Sequence, residues 1–275
     1  MPAGKIAKYI KSAKLSKPDQ PCPFRRRGSY SPLCNKRGGV CSVRLYRCQE
    51  DGSALPHERK LVTLCPQRFW EGDLVFKQIS GSILNCPKPI MVKEVGFLKG
   101  ENAAEVGRID SVLVVPNSFP LHWCSVEIQA VYFSGQKMGL EFEMLSNSRD
   151  NKIPFPSAIR RPDFRSSGPK RLMPQLQIKV PTLRRWGKKM AVVVDDVFFN
   201  SMGKMEATSD LSNADIAWFI VDYKINRSRS ELFVAGTRYT TLELAINGLT
   251  AGLPVTLSEF EEEILRRIAA GIKIL

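Results

Sequence analysis

Three polar side chains stand where the pattern calls for apolar ones. Asp110 lies inside RIDSVLVV, and Glu127 and Gln129 lie inside WCSVEIQAVYF. Both segments are rich in the β-branched and aromatic residues that favour strands. Residues two apart on a strand point to one face, so Glu127 and Gln129 project together. If the two segments pair, Asp110 faces them from the neighbouring strand. A carboxylate buried in such a setting is costly unless paired, hydrogen-bonded or metal-bound. Two converging carboxylates make an oxygen-rich site suited to Mg²⁺, which can activate water, orient a scissile phosphate and stabilise the leaving oxygen. Gln129 cannot act as a base, but its amide can orient water and hydrogen-bond a phosphate oxygen. The spacing alone is also what two solvent-facing strand-end carboxylates would give.

A second group of chemistry-bearing residues is the cysteines. Five of the seven (Cys22, Cys34, Cys41, Cys48 and Cys65) crowd into the first quarter of the 275-residue chain. In a cytoplasmic protein they are thiols or metal ligands rather than disulfides. Cys86 and Cys124 sit in apolar surroundings and read as core thiols.

Charge points to the partner. Lys and Arg outnumber Asp and Glu by 41 to 27, a formal net charge of +14. Such an excess favours a polyanion, nucleic acid first and an anionic membrane surface second. The densest stretch contains Arg160, Arg161, Arg165, Lys170, Arg171, Lys179, Arg184, Arg185, Lys188 and Lys189, with Asp163 as its one acid. Arg25, Arg26 and Arg27 form a smaller cluster beside the cysteines.

The elements that must position these groups are most legible in the middle of the chain. MVKEVGFL, RIDSVLVVP and WCSVEIQAVYF, separated by turn-rich KGENAAEVG and PNSFPLH, predict an antiparallel meander with one buried face. Residues 146–176 read as loop. PTLRRWGKKMA reads as a helix with Pro181 in its first turn, VVVDDVFF fits helix or strand, and ADIAWFIVDYKI is a strand. TTLELAINGL and SEFEEEILRRIAAGI are helices, the second with Ser258 as N-cap and Glu261 as its capping-box partner. The expected fold class is α+β, or a mixed domain. Three regions are expected: a basic arm over 1–20, a cysteine-rich segment over 21–68 that lacks a sustained period and needs a staple, and a core over 69–275 containing the basic segment 146–190.

Around the acidic cluster the sequence resembles the NotI family of restriction endonucleases, within the PD-(D/E)xK nuclease superfamily. That branch carries Gln in place of the usual lysine, giving Glu-x-Gln, here Glu127-Ile128-Gln129 in VEIQAVYFSG. The family's preceding Asp falls on Asp110, and a further upstream carboxylate falls best on Glu94, with Glu105 second. The likeness extends to a four-cysteine site of the form CPF, C, RGVC and CP. This chain has Cys22-Pro23-Phe24, Cys34, Arg37-Gly38-Gly39-Val40-Cys41 with one extra Gly, and Cys65-Pro66. Cys48 is read as a bystander.

The resemblance implies a mixed central sheet flanked by helices, with a small cysteine-rich metal-binding region holding structural Fe or Zn. It implies a Mg²⁺-dependent type II enzyme that cuts double-stranded DNA at a GC-rich palindrome, acting as a homodimer. Arg160, Arg161, Arg165, Lys170, Arg171, Arg184, Arg185 and Lys188 are the expected DNA contacts. A cytoplasmic location follows from the lysine-rich N-terminus, which lacks the apolar run of a secretory signal, and no membrane partner is expected. The rivals are a sequence-unspecific repair or mobile-element nuclease and a non-catalytic, metal-stapled DNA-binding protein.

Overall fold

A computed structural model describes residues 21–25, 32–34, 40–48, 54–133, 161–225, 230–250, 252 and 255–271. The first elements are β1 (Ser42–Cys48) and β2 (Ala54–Thr63), an antiparallel hairpin with an irregularity between Arg44 and Tyr46. A 3₁₀ segment (Pro66–Asp73) leads into α1 (Leu74–Leu84). Then come β3 (Ile90–Lys99), β4 (Glu105–Val114), β5 (Trp123–Ile128) and β6 (Tyr132–Phe133). After the undescribed 134–160 follow β7 (Pro162–Asp163), α2 (Phe164–Ser167), a π-helical turn (Gly168–Leu172) and α3 (Met173–Arg185). The chain continues with β8 (Met190–Asp195), α4 (Asp196–Asn200), β9 (Ile216–Ile225) and β10 (Ser230–Thr240). It ends in α5 (Leu242–Thr250) and α6 (Leu257–Ala269).

Six strands form one mixed sheet in the order β10-β9-β8-β5-β4-β3. The β3–β4–β5 meander and the β9–β10 hairpin are antiparallel, whereas β8 pairs in parallel with both β5 and β9. Strands covered on both faces read as unbroken apolar runs, and MAVVVD of β8 is buried at every residue. On one face, Val75, Phe76 and Ile79 of α1 pack on Leu113, Val126, Val193 and Phe219. On the other, Leu176, Val180 and Leu183 of α3, with Leu242, Ala245 and Leu249 of α5, pack on Val112, Val192, Val194 and Trp218. The architecture is α+β with helices on both faces of a mixed sheet.

The meander and the strand over ADIAWFIVDYKI match the sequence reading, as does the helix in TTLELAINGL. Other expectations need correction. The described part of the stretch read as loop, from residue 162 onward, is β7, α2, the π turn and the start of α3. Two of its prolines, Pro169 and Pro174, sit in the first turn of helical segments rather than breaking them. Pro181 therefore lies inside α3, not in its first turn. VVVDDVFF resolves into strand then helix at Asp195, whose buried carboxylate accepts from Phe198 N at 2.7 Å to cap α4 and from Thr63 N at 2.6 Å to tie on β2. The cap of α6 is Thr256 with Glu259 closing the box, two residues before the expected Ser258 and Glu261. The cysteine-rich region, read as lacking a sustained period, contains the β1–β2 hairpin. The strand expected over 123–133 stops at Ile128.

Candidate active site

The β4–β5 register pairs Ser111 with Val126, and one further step along it sets Asp110 opposite Glu127. Directly opposed like charges destabilise a sheet, so this pair needs a cation. It comes from α3. Leu172, Leu176, Val180 and Leu183 follow the helical period and are buried, and Lys179 falls on the same face, only 3 % exposed. Its Nζ donates to Glu127 Oε2 at 2.7 Å and stands 3.8 Å from Asp110 Oδ1. The ammonium thus joins both carboxylates, with Glu127 buried and Asp110 open to solvent.

Burial pushes the Glu127 carboxyl up to about 7, an effect that neighbouring Asp110 reinforces and Lys179 opposes. Gln129 lies just past the end of β5, where its backbone N–H bonds Val193 O at 3.0 Å. Its side-chain amide donates to Ala130 O at 2.6 Å. Asp110, Glu127 and Gln129 line one cavity of about 390 Å³ together with Tyr132, Lys170, Arg171 and Gln175. Arg171 lies over the Tyr132 ring at 3.9 Å. Two acid oxygen donors at an open cleft fit a hard divalent cation, with Asp110 and Glu127 as its holders. Among the described residues, no three His, Cys, Asp or Glu side chains form a ready-made metal group.

Glu94 and Glu105 lie elsewhere. The β3–β4 pairs Lys93–Ser111 and Val95–Ile109 bracket Glu94 and Asp110, so Glu94 is across from Asp110 in register. Yet its backbone is left-handed, with φ 53°, and its carboxylate pairs with Arg108 at 3.6 Å. Glu105 binds the same guanidinium at 3.0 Å. Neither lines the cavity of Glu127.

Cys22, Cys34 and Cys65 are buried and Cys41 nearly so. The Cys41 thiol is pushed far up by a hydrogen bond with Cys65, by burial and by the nearness of Cys65, Cys22 and Cys34, so the four share one neighbourhood. The backbone draws them together: Leu64 N and Cys65 N both donate to Cys41 O, and Cys22 N donates to Pro32 O. The four thiols lie near one another, but among the described residues they do not form a ready-made metal group. Cys48 ends β1 opposite Ala54, at the other end of the hairpin and about 20 Å along the strand from Cys41. Nearby, buried Arg68 reaches Ser230 O at 2.9 Å and lies between the Phe24 and Tyr223 rings, fastening this region to the sheet.

The basic residues divide. Lys170 and Arg171 line the cavity, and Arg161 and Arg165 are exposed. Arg184 is held by Asp215 at 2.5 Å and by Glu243 at 3.1 Å. Arg185 bonds Thr182 Oγ1, and Lys188 bonds Leu121 O and lies over Trp123. Arg160, Arg26 and Arg27 are outside the described residues. Lys179, counted from sequence in the basic run, belongs to the carboxylate cluster. Its place at a helical interval between Leu172, Leu176 and Leu183 was the available signal.

The mixed sheet thus presents an acidic cleft, its Glu127 held by Lys179, beside the exposed basic residues Lys170 and Arg171. The profile described as "Restriction endonuclease NotI" matches residues 5–239, and the chain belongs to the NotI restriction endonuclease family. Its partner is accordingly double-stranded DNA. The match takes in the four clustered cysteines, Asp110, Glu127, Gln129 and Lys179, and stops before α5 and α6. No curated protein matches the chain. Among the described residues no helix is long and apolar enough to cross a membrane.

Proposed function

We propose that this restriction endonuclease is a Mg²⁺-dependent type II enzyme of PD-(D/E)xK chemistry. It hydrolyses phosphodiester bonds at a specific, GC-rich palindrome, working as a cytoplasmic homodimer with structural Fe or Zn on Cys22, Cys34, Cys41 and Cys65. The observation that carries the reading is the Asp110–Glu127 pair lining an open cavity edged by Lys170 and Arg171, with buried Lys179 bonded to Glu127.

Asp110 and Glu127 hold the catalytic cation. Bound Mg²⁺ supplies water activation and neutralises charge developing on the phosphate. Lys179 holds Glu127 in place by donating to Oε2 and favours its ionised form against the burial that opposes it. Gln129 supplies an amide at the mouth of the cleft, released from Ala130 O when it binds water or a phosphate oxygen. Lys170 and Arg171 position the DNA backbone, and Arg161 and Arg165 extend that contact. Glu94, in register with Asp110, is the upstream carboxylate of the cluster once Arg108 releases it.

The deciding experiment incubates purified protein with unmethylated, GC-rich phage DNA and Mg²⁺, beside Glu127→Ala and an EDTA control. Discrete fragments from the wild type alone are expected. A smear would point to unspecific cutting, and intact DNA with salt-sensitive binding to a non-catalytic DNA-binding protein.

A further inference from the structure

Arg171 differs from other exposed arginines of the chain in what holds it. Arg184 is gripped by Asp215 and Glu243, and Arg108 by Glu94 and Glu105. Among the described residues no acid pairs with Arg171, and its guanidinium lies 3.9 Å from the centre of the Tyr132 ring. A carboxylate partner would neutralise the cation and occupy its donors. An aromatic ring attracts it through the quadrupole and supplies no carboxylate-like acceptor. The N–H fork therefore stays available for an anion, and a phosphate takes such a fork in two parallel bonds.

The backbone of Tyr132 is fixed for that task. Gln129 N donates to Val193 O at 3.0 Å, Val131 N to Thr63 O at 2.8 Å and Tyr132 N to Ser167 Oγ at 2.9 Å. The buried Ser167 hydroxyl donates in turn to Asp163 O at 2.8 Å, and Asp163 is the strand partner of Tyr132. Ser167 precedes Arg171 by four residues in the helical run that leads into α3. One turn of that run is thus tied to Tyr132 twice, through the tyrosine backbone and through its ring. The ring is 45 % exposed and borders the same cavity as Asp110, Glu127 and Arg171. A half-exposed ring on a pinned backbone adds little to the core, and its partner in the cleft is the guanidinium.

We propose that Tyr132 is a positioning residue: its ring holds Arg171 in the carboxylate cavity with the fork open, and Arg171 clamps the DNA phosphate that enters there. The inference rests on the reading of this cavity as the DNA site. Without the ring, the charge stays near the cleft but rides on a flexible stem. Attraction for DNA then persists while orientation is lost, and lost orientation falls on the chemical step more than on binding.

The test is a double-mutant cycle on the full chain, read as single-turnover cleavage of phage DNA with Mg²⁺ and as duplex affinity in EDTA. Tyr132→Leu should slow cleavage about tenfold and weaken the duplex about threefold, both within the range of a cation–π contact. Its salt slope should stay that of the wild type, because the charge remains. Circular dichroism and Tm should also stay, since the ring is half-exposed. Tyr132→Phe, which keeps the ring, should retain most of the rate. Arg171→Lys, which keeps the charge without the fork, should be as slow as Tyr132→Leu. In the Arg171→Ala background, Tyr132→Leu should cost nothing more. Equal slowing by Tyr132→Leu in both backgrounds, or a wild-type rate from Tyr132→Leu or Arg171→Lys, would overturn the inference. If the wild type leaves DNA intact, only the cutting reading fails, and the cycle is scored on affinity: coupled losses keep the clamp, additive losses sink it.

Discussion

Lys179 Nζ lies 2.7 Å from Glu127 Oε2, on a helix that reaches the acidic cluster from 52 residues further along the chain. Residue 129 is Gln, and the lysine beside Glu127 comes from another element, α3. Lys179→Met should lower single-turnover cleavage by about 10²-fold or more, the range for a group acting in the transition state, while DNA binding changes little. Lys179→Arg should keep a measurable fraction. Equal cleavage by Lys179→Met and wild type would restrict the lysine to a structural part.

The buried carboxyls give stability a definite pH slope. Glu127 is raised to about 7 and Asp195 to about 6, both chiefly by burial. A raised folded-state value means that the native protein binds the proton more tightly than the unfolded chain. The stabilisation is therefore complete at the acidic end of this window and is lost as pH rises through about 6 and 7. Urea midpoints of metal-free protein should fall between pH 5 and pH 8, and Glu127→Gln should flatten the upper part of that decline. A rising midpoint would contradict the burial argument. Because a cation needs the ionised Glu127, Mg²⁺ affinity should climb over the same interval.

Asp195 tests the scaffold without touching the cleft. Its carboxylate accepts from Thr63 N and Phe198 N. Asp195→Ala leaves both donors unsatisfied and should cost about 2–4 kcal/mol in denaturant unfolding. Asp195→Asn, which keeps an acceptor oxygen, should cost less.

Among the basic residues, salt dependence separates contact from scaffold. Arg171→Ala and Lys170→Ala should each reduce the slope of log K against log salt by about 1. Arg184 is engaged by Asp215 and Glu243 at an exposed site, so Arg184→Ala should leave that slope unchanged and cost about 1 kcal/mol or less.

At the thiol cluster, Cys65→Ala should abolish bound Fe or Zn by elemental analysis and lower the Tm. Cys48→Ser should keep one metal per chain. Loss of metal from the Cys48 variant would place that thiol in the site.

The legible parts of the sequence were those where period and burial agree. Asp110 and Glu127 stood out because a carboxylate in an apolar strand has few explanations, and their strands pair as the alternation implied. Lys179 did not stand out, since a lysine among nine other basic residues looks like solvated charge until the helix that carries it is known. That helix was hidden by Pro169, Pro174 and Pro181, which suggest a loop while two of them open helical turns. β1 and β2 escaped because the cysteines and prolines around them obscure any alternation. β10, with SELFVAGTRYT, is only partly buried at most positions, so its pattern is weak. Bonds between distant residues, such as Asp195 to Thr63, leave no local trace at all.

The chain order of the site has a consequence for the cell that makes the protein. Asp110 and Glu127 sit on neighbouring strands joined by a short turn, so they meet soon after they leave the ribosome. Lys179 follows 52 residues after Glu127, and α6 comes last of the described elements. At about 5–20 residues per second, the acidic pair waits seconds for its cation. A half-made copy thus holds the acidic pair without the lysine that faces it, and the cluster is completed only after α3 has been made.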